Sequence, residues 1–214
     1  MEEALLPLFP LEVVLLPEEP LPLHIFEDRY KEMVAECLEA KTKGLGQQEF
    51  GVVFAKENEI CSVGCSARIV NVTRKYEDGR MDILTVGRRR FEIVLTNEER
   101  SYLRGSVEFF DDDDADTPGD SEAASAIELF TRFIRKLRQA SEMPIHLTRP
   151  YRYLSFRLAA PLPLDVEMKQ QLLTIRSEAE RLRQLVSTME FMSEQFDRIE
   201  KARKRAGGNG HNRP

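Results

Sequence analysis

Cysteine is scarce in this chain of 214 residues, and the three present, Cys37, Cys61 and Cys65, form no even disulfide framework. The opening MEEALLPLF has neither the basic stretch nor the long apolar stretch of a secretory signal. The expected home is therefore the cytoplasm. Apolar runs are also short: Leu11 to Leu16 is broken by Glu12, far below the ~20 residues that cross a bilayer. No G-x-x-x-x-G-K-[ST] run exists to cradle phosphates, which excludes a P-loop ATPase.

Basic excess is missing as well. Lys and Arg number 31 against 37 Asp and Glu, a net charge of −6. The segment Asp111 to Asp120 supplies six aspartates without a Lys or Arg, so the rest of the chain is neutral. A neutral body argues against a dedicated nucleic-acid binder, whose phosphate contacts demand a basic surface. What remains is ordinary for a globular protein, 42% hydrophobic and 32% charged. At this length folding hides roughly 70% of the extended chain's surface, enough for an independent core.

The first segment, LLPLFPLEVVLLPEEPLPL, is punctuated by Pro7, Pro10, Pro17, Pro20 and Pro22. Proline cannot donate to a ladder, so short extended strands are expected there rather than helix. In EDRYKEMVAECLEAK the apolar Tyr30, Met33, Val34, Cys37 and Leu38 recur at helical steps. Some sixty residues of β pattern follow, as FGVVFAK, ICSVGCSARIVNVTRKY, RMDILTVG, RRFEIVLT and YLRGSVEFF. Asp78-Gly79 between two of these runs predicts a hairpin with a tight primed turn. Several short strands joined this way predict a closed or nearly closed barrel.

After DDDDADTPGD no strand pattern returns, which places the domain boundary there. Thr117 with Pro118 reads as the start of a helix carrying Ile127, Phe130, Ile134 and Leu137. A short helix is expected from Pro150 through Leu158, and another capped by Asp165. Ser177 with Glu180 forms a capping box that opens the longest helix. Along it Leu182, Leu185, Met189, Met192, Phe196 and Ile199 form an apolar seam that something must cover. The Gly-rich basic end reads as a frayed tail. The expected division is residues 1–110 as a barrel, 111–120 as an acidic linker, 121–206 as a helical bundle and 207–214 as a disordered tail.

At this point the residues carry a family likeness. Pro22, Leu23, Ile25, Phe26, Glu27, Arg29 and Tyr30 match a P-L-x-I-F-E-x-R-Y core that resembles the opening of Lon protease substrate-binding domains, especially the stand-alone bacterial kind. Val63 to Ile93 is similar to that family's V-G-x-x-A-x-I, Asp-Gly turn and G-x-x-R-F strand. Met168 to Glu190 is similar to its K-Q-x-L-L…E-R-L-x-x-L segment. The resemblance implies an α+β fold: an N-terminal PUA-like β barrel with one inserted helix, then a C-terminal helical bundle ending in a long helix. It implies a binding role, and no ATPase or Ser-Lys peptidase signature accompanies it, so no enzymatic activity is expected.

Other constellations have plainer explanations. Cys61 and Cys65 as metal ligands would need partners from Cys37 and the scattered His24, His146 and His211, so buried small hydrophobes is the better account. The patch His24, Glu27, Arg29 and Tyr30 fits a helix-start corner better than a peptide groove. Arg88, Arg89 and Arg90 on a PUA-like barrel suggest RNA, but no aromatic residues interleave with basic ones in the sequence.

The resulting expectation is a non-catalytic module that binds unfolded or extended polypeptide, or a component of a proteolytic pathway, by apolar pockets and strand-edge pairing. Its peptide-contact candidates are Phe26, Arg29, Tyr30, Arg90 and Tyr153. Phe196 and Ile199 are candidates for a partner helix or a second copy, as in a self-associating scaffold or homodimer. No metal, cofactor or membrane contact is expected.

Overall fold

In the computed structural model, residues 5–43, 49–57, 59–113, 117–138 and 153–208 are described. The proline-punctuated start forms β1 (Leu6–Leu11) and β2 (Pro20–Ile25), followed by α1 (Asp28–Lys43). The β-branched middle forms β3 (Glu49–Lys56), β4 (Glu59–Ile60), β5 (Val63–Lys75), β6 (Met81–Asn97) and β7 (Arg104–Phe110). The last part forms α2 (Asp120–Arg138), α3 (Leu154–Ala159), α4 (Val166–Thr174) and α5 (Glu178–Gly208).

The sheet closes. Its order runs β1, β7, β6, β5, β3, and β1 returns to pair with β3 in parallel, so these strands form a ring with β4 appended to β3. β2 lies outside the ring and pairs antiparallel with the first half of β6, from Pro20 opposite Val86 to Ile25 opposite Met81. The second half of β6 pairs with β7 instead. β6 is thus one bent strand where the sequence suggests two, RMDILTVG and RRFEIVLT.

The bend falls at Gly87, and it is there for space. A Cβ at this position would lie 2.1 Å from the Leu16 carbonyl oxygen. The connection between β1 and β2 uses that room: Glu18 N–H donates to the Gly87 carbonyl and Gly87 N–H to the Glu19 carbonyl, each at 2.9 Å. Glu18 sits at φ 65°, a left-handed conformation costing a non-glycine residue about 1 kcal/mol, which these bonds offset.

The Asp78-Gly79 hairpin forms, but not with a primed turn. Gly79 N–H donates to the Tyr76 carbonyl at 3.1 Å, Tyr76 N–H donates to the Arg80 carbonyl at 2.9 Å, and Gly79 has φ 82° while Asp78 has no positive φ. This is the three-residue loop in which glycine makes the bulge. The helix starts differ too. α2 opens at Asp120, with Ala123 N–H donating to the Gly119 carbonyl, and the acidic Asp120 and Glu122 in its first turn suit the positive helix end. Pro150 and Tyr151 lie outside the described residues, and α3 begins at Leu154. Asp165 caps α4 by accepting from Met168 N–H at 2.7 Å, and the Ser177 hydroxyl accepts from Glu180 N–H at 3.0 Å, as the cap patterns predict. α5 runs on to Gly208, past the expected helix end.

One apolar core extends through both halves. Phe9, Tyr30, Met33 and Phe50 from the strands and α1 belong to the same buried cluster as Phe130, Phe156, Leu172, Leu182 and Met189 from the helices. A smaller cluster gathers Leu6, Leu8, Val53 and Phe91. Among the described residues, no helix is long and apolar enough to cross a membrane.

The close approach at Gly87 makes a paired prediction. Gly87→Ala should lose roughly 2–3 kcal/mol in urea unfolding, because backbone rather than a flexible side chain occupies the space. Gly119→Ala, with nothing within 4 Å of its added carbon, should stay within about 0.5 kcal/mol of the parent.

Candidate functional site

A cleft of about 830 Å³ lies between the strand region and α3, lined by Glu18, Glu19, Pro20, Arg88, Arg89, Asp111, Tyr153, Arg157, Ala160 and Pro161. Four separate stretches of chain supply it. The β1–β2 connection and the start of β2 bring Glu18, Glu19 and Pro20, the bend after Gly87 brings Arg88 and Arg89, the exit of β7 brings Asp111, and α3 with its two flanks brings Tyr153, Arg157, Ala160 and Pro161. Its charges largely answer one another. Arg88 reaches Glu18 at 3.5 Å, Lys169 of α4 donates to Glu19 at 2.6 Å, and the Tyr153 hydroxyl donates to Asp111 at 3.4 Å. Arg89 stacks over the Phe109 ring at 4.1 Å. Tyr153 sits at φ 55°, so its ring is held by a backbone conformation that tyrosine rarely adopts.

Behind the cleft the two halves are bolted together by a buried ionic cluster. Arg90 is 2% exposed and donates to Asp112 and to the carbonyls of Leu173 and Ile175. Arg181 is 0% exposed and donates to both Asp112 oxygens at 2.6 and 2.5 Å, to the Ile175 carbonyl at 2.7 Å, to Ser155 Oγ at 3.0 Å, and to Glu178. Glu178 in turn accepts from the Ser155 N–H at 2.7 Å and hydroxyl at 3.0 Å. The Phe156 ring lies 4.2 Å from the Arg181 guanidinium and Phe110 4.6 Å from that of Arg90. Burial lowers the Arg90 pKa from its usual value, with Asp112 pulling the other way.

Two expected contact residues are therefore corrected. Arg90 cannot meet a peptide, because its guanidinium is spent on Asp112 and two helix-end carbonyls inside the protein. Tyr30 is also interior: its ring packs at 4.0 Å from Phe9, and burial raises its hydroxyl pKa. Arg29 lies at the surface but pairs with Glu27, whose carbonyl receives the N–H groups of Tyr30 and Lys31 at the start of α1. Tyr153 lines the cleft, and Phe26, 59% exposed, stands at the other end of β2. On α5, Phe196 is half-buried and Ile199 exposed, where Lys136 of α2 clamps Ser193 and Asp197.

Phe26 tops a small aromatic platform. Its ring stacks on His24 at 6.0 Å, and His24 meets Tyr76 edge-on at 5.8 Å. Asp82 holds both, within 2.5 Å of His24 Nδ1 and accepting from the Tyr76 hydroxyl at 2.9 Å. The hydrogen bond with His24 and then that from Tyr76 lower the Asp82 pKa. Arg74 and Arg80 lie 4.6 and 5.1 Å from the Tyr76 ring centre.

Cys65 and Cys37 are buried and their pKa values raised by that burial, Cys37 to about 12, which makes both poor nucleophiles. Among the described residues, no group of three or more His, Cys, Asp or Glu could hold a metal ion.

A closed β ring bolted to a helical bundle, with an open, charge-lined cleft between them, defines an α+β ligand-holding domain. The family described as "ATP-dependent protease La (LON) substrate-binding domain" matches residues 5–190. The chain belongs to that family. It is 27% identical over 197 residues to the Lon protease of Bacillus thuringiensis, covering 88% of this chain and 24% of the relative, and 24% identical to that of Buchnera aphidicola, covering 86% and 24%. The chain thus spans about a quarter of the curated relatives it matches, and the matched family is the substrate-binding part rather than the peptidase. Among solved structures, the Lon N-terminal domain protein of Xanthomonas campestris aligns with TM-score 0.65 and 26% identity, covering 86% of this chain and 98% of that one. The N-terminal domain of the Mycobacterium avium complex Lon protease shares the fold with TM-score 0.65 at 18% identity, covering 87% and 98%.

The geometry yields two predictions. Arg181→Ala should destabilise the protein by about 3–5 kcal/mol in denaturant titration, since Asp112 and Glu178 would be left facing each other without their shared cation. In an NMR carboxyl titration Asp82 should take its proton below the ordinary Asp range. His24→Ala should move that midpoint up the most, and Tyr76→Phe should move it up less, following the order of the two hydrogen-bond contributions.

Proposed function

We propose that this chain is a non-catalytic, cytosolic recognition module that grips unfolded or extended polypeptide in the cleft between barrel and bundle. The observation that carries the reading is the cleft's chemistry. Its walls pair guanidiniums and carboxylates around Tyr153 and the apolar Pro20, Ala160 and Pro161, and among the described residues they include no Ser, Thr, Cys or His to act as a nucleophile or as an imidazole base. Tyr and Arg are the side chains that most often anchor protein interfaces, because they offer large area and directed donors at small entropic cost. Balanced charges give hydrogen-bonding capacity of both signs, which suits ligands of varied sequence. Membership in a substrate-binding family supports the same reading.

Strand addition is the less favoured mode at the one edge adjoining the cleft. β2 pairs with β6 on one side only, and its ladder position requires the nitrogens of Pro20 and Pro22 to face away from β6. That outer edge lacks two N–H donors, the device by which sheets resist pairing with other chains. Side-chain grip in the cleft remains.

The test is fluorescence anisotropy with reduced, carboxymethylated α-lactalbumin as a permanently unfolded probe, beside the same protein folded. The unfolded form should bind and the folded form should not. Tyr153→Ala and Arg157→Ala should each weaken binding at least about fivefold, roughly 1 kcal/mol. Equal binding of the two probe forms, or cleft variants that bind like the parent, would sink the reading.

A further inference from the structure

β2 leaves the cleft at Pro20 and reaches the aromatic platform at His24, and its exposed residues alternate: Pro20, Pro22 and His24 share one face, away from the core side of Leu21, Leu23 and Ile25. The pairing carries that face across two more strands. Pro20 lies opposite Val86 and Val86 opposite Arg68; Pro22 opposite Leu84 and Leu84 opposite Asn71; His24 opposite Asp82 and Asp82 opposite Arg74. On the reverse face Ile69, Ile83 and Thr85 are buried. The outward face is therefore an apolar lane of Pro20, Val86, Pro22 and Leu84. The cleft bounds it at one end and Phe26 with its platform at the other, and β5 runs along its side.

The side formed by β5 has one charge sign. From Val63 to Lys75 the strand contains Arg68, Arg74 and Lys75 and no Asp or Glu. Arg68 and Arg74 are exposed, and neither forms a salt bridge to a carboxylate among the described residues; Arg74 rests on the Tyr76 ring. Register shifts at Val70 and Thr73 keep Arg68, Asn71 and Arg74 opposite the lane despite the extra residues, and Val70 is left 48% exposed beside it. Arg80 is committed to Asp78 at 2.6 Å and Lys31 to Asp28 at 3.0 Å, so among the described residues the guanidiniums of this surface outside an ion pair are those of Arg68, opposite Glu49 on β3, and Arg74, opposite Asp82 on β6.

We propose that this face is a second recognition surface continuous with the cleft, and that its occupant is an extended polypeptide segment carrying acidic side chains among apolar ones. The proposal rests on the polypeptide-binding reading and adds to it a site, a length and a charge preference. Apolar side chains would lie on Pro22, Leu84 and Val70 and end against Phe26, while carboxylates meet Arg68 and Arg74. The run from Pro20 to His24 covers about 13 Å at roughly 3.3 Å per residue, so a segment filling both cleft and face needs about eight to ten extended residues. Two linked weak contacts then act together, and a segment too short to span them loses the gain. Nucleic acid fits the surface less well, because its backbone carries a charge at every nucleotide while only Arg68 and Arg74 stand beside the apolar lane, whereas a peptide can set carboxylates at those two positions and apolar side chains between them.

The probe is a fluorescein-labelled peptide of about twelve residues in which Glu and Phe are spaced by Ser, compared with its Lys counterpart, a half-length version and an oligouridylate. The parent should prefer the Glu peptide over the Lys peptide and bind the half-length version at least tenfold more weakly. Arg68→Glu combined with Arg74→Glu should lower affinity for the Glu peptide at least tenfold and invert the preference toward Lys, and Phe26→Ala should lower both affinities about fivefold. All three positions are exposed, and unchanged thermal melting would verify the fold. If the charge-reversed variant holds the Glu peptide within twofold of the parent while Tyr153→Ala weakens it, the cleft reading stands and the second surface is wrong. If unfolded α-lactalbumin and the peptides all fail to bind the parent, both readings fall together. Tight oligouridylate binding abolished by the same charge reversal, without peptide binding, would overturn the polypeptide occupant in favour of nucleic acid.

Discussion

Two guanidiniums, Arg90 from the barrel and Arg181 from the bundle, share the carboxylate of Asp112, and Arg181 also holds Glu178. Buried charge is tolerable only when it is neutralised and hydrogen-bonded, and here two cations meet two anions while further donors end on the carbonyls of Leu173 and Ile175 and on the Ser155 hydroxyl. Those carbonyls terminate α4, so the cluster fixes how the last two helices sit against β6. Phe110 and Phe156 close over the guanidinium faces. The relative placement of barrel and bundle, and hence the width of the cleft, follows from this joint. The continuous apolar core supplies stability, and the ionic cluster supplies register.

The cleft depends on the joint from one side and on Gly87 from the other. Because Gly87 has no side chain, the β1–β2 connection can settle onto β6 and present Glu18 and Glu19 opposite α3. The same bend lets Arg88 and Arg89 both line the cleft while the next residue, Arg90, turns inward. Three consecutive arginines thereby take unlike roles: one pairs at the rim, one stacks on Phe109, and one is buried in the joint. Among the described residues the cleft is consequently balanced in charge despite this basic run, with Glu18, Glu19 and Asp111 set against Arg88, Arg89 and Arg157.

Local chemistry was readable in the sequence wherever it acts over three or four residues. The caps of Asp165 and Ser177 with Glu180, the amphipathic α1, and the hairpin at Gly79 all depend on neighbours in the chain, and they appear where their residues predict. The Lon-family motifs extended this to the order of barrel and bundle. Tyr30 and Arg90 show the boundary of that legibility. Tyr30 has the composition of a binding residue, yet helix α1 turns it onto Phe9. Arg90 looks like its two neighbours until Asp112, Leu173 and Ile175 are brought to it from 22 to 85 residues away.

The acidic segment makes the same distinction most clearly. Its composition marks the change from strands to helices, and that much the sequence determined, because aspartate-rich chain joins neither a ladder nor an apolar core. Nothing in the run separates Asp112 from the other aspartates beside it. Only the tertiary structure decided that Asp112 takes two buried guanidiniums, while Asp111 accepts the hydroxyl of Tyr153 at the cleft. A strand or helix arises from periodic neighbours, whereas a site gathers distant side chains whose charges and hydrogen bonds must be satisfied at once. That requirement is met in three dimensions and leaves no spacing along the chain.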